Sequence, residues 1–176
     1  MKKILVLLLL VTATALYADV DVDFEYKAMS GFASNQFALW VENDNGDVVK
    51  TLFVTDFTGV KRGYKKRDQS LNHWVFSAKP AYLSDDELDA ISGATPQTGS
   101  QHFTWNLTDD DGNKVPSGKY YIILEGTLYQ GSNVLYIGTV DLDKPDQGEL
   151  EVKMERSEPA NNKNATMLQN VKMSVK

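Results

Sequence analysis

Gln36-Phe37-Ala38-Leu39-Trp40-Val41-Glu42-Asn43-Asp44-Asn45-Gly46-Asp47-Val48-Val49-Lys50-Thr51-Leu52-Phe53-Val54-Thr55 reads as two strands and a turn. Phe37, Leu39 and Val41 recur with period two, the spacing that puts side chains on one face of a strand. Asn43-Asp44-Asn45-Gly46 supplies the turn, because Asn and Gly tolerate the positive φ of a tight hairpin. Asp47 to Thr55 returns as the partner strand. Upstream, Val20, Val22, Phe24 and Tyr26 alternate with Asp21, Asp23, Glu25 and Lys27, which predicts another half-buried strand.

Downstream the pattern lapses and then resumes. Phe57 to Pro80 holds two glycines, a run of basic residues and the aromatics Trp74 and Phe76, and reads as a long irregular excursion. Ser84-Asp85-Asp86-Glu87 is a capping box, which predicts a short helical turn over Asp85 to Ala90. Ser92-Gly93-Ala94-Thr95-Pro96 is too small and broken for a regular element. Strand candidates follow at His102 to Leu107, Lys119 to Leu128, Val134 to Leu142, Glu149 to Glu155 and Met167 to Val175, with a polar loop over Ser157 to Ala165. About eight strands with turns at regular spacing predict an all-β, antiparallel sandwich.

The chain has 176 residues and no cysteine, which excludes disulfides, zinc–thiolate sites and thiol nucleophiles. Met1-Lys2-Lys3, the apolar run from Ile4 to Val11, and the small residues Ala15 and Ala18 have the order of a secretory signal. The expected division is a signal peptide over residues 1–18 and one domain over 19–176. An uncleaved anchor is the alternative, but the apolar run falls short of the ~20 residues a membrane span needs. Without Lys2 and Lys3 the chain carries 16 basic and 24 acidic residues, a formal charge of −8. An acidic chain of that kind is poorly suited to nucleic acid, whose binding rests on neutralising phosphates.

Trp105 to Tyr121 contains a Trp, an Asp/Gly turn and then Pro116-Ser117-Gly118-Lys119-Tyr120. This stretch resembles the immunoglobulin-like module of flagellar hook-capping proteins. The resemblance implies an immunoglobulin-like sandwich with Trp105 in the inter-sheet core. A larger part of the chain is similar to a family of periplasmic proteins without assigned function. That likeness runs through Ser70-Leu71-Asn72-His73-Trp74, the run Asp89-Ala90-Ile91-Ser92-Gly93-Ala94-Thr95-Pro96, and Trp105 to Tyr121. It implies a periplasmic location near flavin and haem redox proteins.

Asp89-x-x-Ser92-Gly93-Ala94-Thr95 is also similar to the flavinylation signature of exported FMN-binding domains, which serve sodium-pumping quinone reductases and related complexes. There an FMN transferase moves FMN from FAD onto the terminal Thr. The likeness implies FMN on Thr95, with Asp89 read by the transferase and Ser92, Gly93 and Ala94 small enough to enter its active site. The implied partners are that transferase and membrane redox proteins. Pro96 departs from the pattern and restricts Thr95 to extended backbone. A compact turn joining helix to strand is the competing reading of the same residues.

Other candidates each carry a plainer alternative. Lys61, Arg62, Lys65, Lys66 and Arg67 are suited to a phosphate or an acidic partner, or to a solvated loop. Trp74, lying in the irregular segment, is the aromatic singled out for stacking on a ligand. His73 and His102 would need a shared carboxylate to hold a metal, and none is expected. Asp109 to Asn113 fails as a calcium loop, because the twelfth residue from Asp109 is Tyr120 rather than Glu. There is no Ser-His-Asp spacing and no phosphate-cradling Gly loop. The expected roles are therefore an accessory or carrier in flavin electron transfer, a noncatalytic binding or assembly module, or a carbohydrate or small-ligand binder. Only as a flavin carrier would the chain take part in a reaction.

Overall fold

The structure, a computed structural model, describes residues 19–30, 35–129, 132–144, 147–156 and 167–176. The expected signal peptide and the polar loop from Ser157 to Ala165 lie outside the described residues. Among the described residues, nine strands, two short α-helices and a 3-10 turn at Gly63–Lys65 follow in chain order: β1 Val20–Tyr26, β2 Gln36–Asn43, β3 Val48–Thr55, α1 Asn72–Ala78, α2 Asp85–Ile91, β4 Ser92–Gly93, β5 Gly99–Trp105, β6 Lys119–Tyr129, β7 Ser132–Asp141, β8 Val152–Arg156 and β9 Leu168–Val175. They form two sheets, β5-β1-β9 and β4-β3-β2-β6-β7-β8. The expected all-β sandwich is found.

The sequence hairpin is β2–β3, and Gly46 closes it at φ 81°. Between the sheets lie Val20, Val22, Phe24 and Tyr26 from β1 with Phe37, Leu39 and Val41 from β2, all buried. Four phenylalanines bind the two sheets together. Phe37 lies 5.5 Å from Phe24 and 4.9 Å from Phe53, and Phe53 lies 5.4 Å from Phe103 (ring centroids). Trp105 is fully buried, and its indole N–H donates to Thr108 O at 2.9 Å. Tyr120 packs on that indole at 5.3 Å and donates its hydroxyl to Pro116 O at 2.8 Å, a corner bond familiar from β-sandwiches. Asp109 to Asn113 is a turn, with Gly112 N–H donating to Asp109 O.

Two expectations need correction. β4 pairs with β3 in parallel, Val54 opposite Ser92 and Thr55 opposite Gly93, so the larger sheet is not wholly antiparallel and Ser92-Gly93 is a regular, if minimal, strand. The excursion after β3 is also not irregular throughout. It contains α1 and, with α2, covers the outer face of the six-stranded sheet. There Ala38, Trp40, Val54 and Ile123 from the sheet meet Leu71, Trp74 and Leu88 from the cover, forming a second apolar core. β2 is consequently buried on both faces rather than one.

A fully buried carboxylate fixes the cover. Glu125 on β6 accepts from the backbone N–H of Trp74 at 2.9 Å and of His73 at 3.3 Å, the second and third residues of α1. Helix N-termini leave such groups unpaired, and an anion there is stabilising. The same carboxylate meets His73 Nδ1 at 3.1 Å and accepts from Asn133 Nδ2 at 2.9 Å. Leu71 N–H donates to Thr127 Oγ1 at 2.7 Å, and Arg62 spans the other end, donating to Pro80 O, Leu83 O and Asp85.

Glu125→Ala leaves the His73 and Trp74 N–H groups without their acceptor, and should cost about 2–4 kcal/mol in urea unfolding. The histidine adds a pH dependence. The bond to Glu125 raises the His73 pKa against an opposing effect of burial, and Glu155 and Glu42 reinforce the rise. A group with a raised folded pKa contributes its stability below the unfolded value of ~6.5 and loses it as pH climbs through the folded value. The stability advantage of the wild type over His73→Gln should therefore be largest below pH ~6 and decline toward alkaline pH, as measured by denaturant midpoints across that range.

Candidate functional site

The Asp89 to Thr95 run straddles the exit from the helical cover. α2 begins with the capping box expected from the sequence: Glu87 N–H donates to Ser84 Oγ at 3.2 Å, and Ser84 N–H donates to Glu87 Oε2 at 2.7 Å. The helix ends at Ile91, and the chain turns extended at Ser92. Ser92 Oγ then accepts from Val60 N–H at 3.0 Å, while Gly93 O accepts from Asp56 N–H at 2.8 Å. Both residues are held against β3 and the loop that follows it.

Packing explains why these positions are small. A Cβ on Gly93 would lie 2.5 Å from the Phe53 ring, and one on Gly59 would lie 2.1 Å from Ser92 Oγ. Neither approach is tolerable for a side chain. After Gly93 the environment changes at once. Ala94 and Thr95 are exposed, and no side-chain hydrogen bond engages Thr95 among the described residues. Asp89, on the last turn of α2, is also exposed. The five motif residues thus divide into two fixed by the sheet, Ser92 and Gly93, and three open to solvent, Asp89, Ala94 and Thr95.

The remaining candidates are dispersed. Of the basic cluster, Lys61, Lys65 and Lys66 are exposed. Arg62 is committed to the cover as described, and the Arg67 guanidinium lies over the Phe57 ring at 5.1 Å. The cluster is therefore partly structural, though Val60 N–H ties its loop directly to Ser92. Trp74 is fully buried, with its indole N–H donating to Thr51 Oγ1 at 3.2 Å. The expectation that it stacks on a ligand is corrected: it is the centre of the second core. The two histidines are not brought together. His73 pairs with Glu125 on the larger sheet, whereas His102 on β5 meets Asp23 at 2.8 Å. No group of three or more His, Asp or Glu side chains suited to a metal occurs among the described residues.

One feature escaped the sequence. A groove of about 530 Å³ opens between the C-terminal end of α1, the flank of α2 and the β2–β3 turn. Val48, Phe76, Ala78, Leu83, Ala90 and Ile91 give it apolar walls, and Thr51, Lys79, Glu87 and Asp110 add polar groups. Phe76 stands at 81% exposure, unusual for a phenylalanine. The one sequence signal for it was Phe76 itself, an aromatic in the stretch without period.

Gly93→Ala should cost about 1–3 kcal/mol, because the Phe53 ring is confined by Phe37 and Phe103 and cannot yield freely. Urea unfolding of the variant beside the wild type measures this.

A family model described as predicted periplasmic protein (DUF2271) matches residues 18–157. No curated protein and no solved structure matches the chain. No helix among the described residues is long and apolar enough to cross a membrane.

Proposed function

The chain belongs to this family of periplasmic proteins, and we propose that it serves there as a carrier in extracytosolic flavin-based electron transfer, with FMN attached to Thr95. One observation supports the reading above the rest. Within Asp89 to Thr95, the hydroxyl that the chemistry would use is exposed and engaged by no side-chain hydrogen bond among the described residues, two positions beyond residues fixed in a sheet. An acceptor of that kind is accessible to a transferase without unfolding and is held in a defined place.

The attachment balances simply. Thr95 Oγ forms a bond to the phosphorus of the FMN half of FAD. The pyrophosphate P–O bond breaks, AMP leaves, and the hydroxyl proton passes to a base of the transferase. Asp89, one helical turn before Ser92 and exposed, is available for recognition by that enzyme. Lys61, next to the residue that bonds Ser92, is the cation of the basic loop best suited to the phosphate of the product. Once bound, the flavin supplies the redox chemistry, and the protein supplies position and electrostatics.

Exporting the chain in cells that contain an FMN transferase and FAD should give an intact mass raised by one FMN. Thr95→Ala should abolish the increment, and Thr95→Ser, which keeps a hydroxyl, should retain it. An unmodified wild-type chain, under conditions that label an established acceptor, overturns the carrier reading and leaves the noncatalytic binding module in its place.

A further inference from the structure

We propose that the groove between α1, α2 and the β2–β3 turn seats the flavin ring, with Phe76 as its stacking face. This rests on the carrier reading and adds to it a site formed by the chain's own side chains.

Three observations converge on the groove. Its volume of about 530 Å³ lies in the range of small-molecule pockets, and its lining is of the matching kind, apolar walls with a few polar groups. Phe76 is 81% exposed on the groove's border. Aromatic rings gain from offset stacking beyond the area they bury, so a planar heteroaromatic ring is the ligand class this border suits. Third, the groove begins inside the motif. Ala90 and Ile91, the two positions between Asp89 and Ser92, line it. From Ile91 to Thr95 the chain spans at most about 14 Å, a distance that the phosphate, ribityl chain and ring of FMN can bridge. The ammonium of Lys79 and the carboxylate of Asp110, both exposed, offer a donor and an acceptor to the polar edge of such a ring.

Other surfaces carry less. The Glu125–His73 cluster is already occupied in holding α1. On the smaller sheet, Asp21, Asp23, His102 and Thr104 form a cluster whose side chains already engage one another. The exposed edge of β8 carries Lys153, Glu155 and Arg156, charges that discourage strand addition.

The test uses the flavinylated chain and a readout independent of redox activity. Intact mass first establishes the adduct. Iodide quenching of flavin fluorescence then reports ring exposure. A seated ring should give a Stern–Volmer slope roughly threefold below that of free FMN, the protection expected when a pocket covers most of a ligand's surface. Ser77→Trp, which fills the groove from α1, outside the Asp89 to Thr95 motif, should return the slope to the free value with the mass increment unchanged. Phe76→Ala should raise the slope part of the way. A wild-type adduct that quenches like free FMN, or one whose protection survives Ser77→Trp, overturns the ring seat and leaves the carrier intact. Absence of the adduct removes both.

Discussion

β2 and β6 carry apolar side chains on both faces, and a sheet of that kind must be covered twice. Phe37, Leu39 and Val41 face the smaller sheet, while Ala38 and Trp40, with Ile123 of β6, face the other way. Burying a side chain of that size is worth about 1.5–3 kcal/mol, so leaving Trp40 and Ile123 in water would forfeit much of the margin by which a domain folds. The excursion after β3 meets this demand with Leu71 and Trp74, and α2 adds Leu88. The outward face of β6 then changes character along its length, from Ile123 to Glu125 and Thr127. The apolar part receives the flank of the cover and the polar part receives the N-terminus of α1. Gln36, opposite Thr127 on β2, extends that polar end, its Oε1 accepting from Thr55 Oγ1 at 2.5 Å.

This division explains which elements were legible from the sequence. α2 announces itself because its cap is local: Ser84 and Glu87 lie three apart and satisfy each other's backbone. α1 has no such mark. Its N-cap is Leu71 in a left-handed conformation at φ 49°, with no side-chain cap of its own. The group that takes that role is Glu125, some fifty residues away. A local pattern cannot register a cap supplied by a distant strand. Trp74 was misjudged for the same reason, since an aromatic in a stretch without period looks unplaced until the surface it covers is known. The hairpin and the β1 alternation, in contrast, depend on neighbours in sequence and read correctly.

The candidate site shows the same split within seven residues. Ser92 and Gly93 have complete explanations in packing: one accepts from Val60, and the other passes under the Phe53 ring. A compact-turn reading of the motif accounts for these two. It does not account for Ala94 or Thr95, which the sheet leaves exposed. The part of the motif that the fold does not need is the part that the proposed chemistry does.

Pro96, the departure from the flavinylation pattern, also finds a reason in the topology. β4 is an edge strand of the larger sheet and β5 an edge strand of the smaller one. Residues 94–98 must therefore carry the chain from one layer to the other, across the ~10 Å that separates packed sheets. Five residues span up to about 17 Å when extended, ample for that crossing, and a proline biases the residue before it toward extended backbone. Thr98 secures the far side, its hydroxyl accepting from Ala28 N–H at 3.0 Å just past the end of β1. Thr95 thus lies on a short strap tied at both ends, by Ser92-Gly93 to one sheet and by Thr98 to the other. A proline that looks like an obstacle to modification in the linear motif sits, in the folded chain, on the crossing between the sheets, where the bias it places on Thr95 toward extended backbone suits the span.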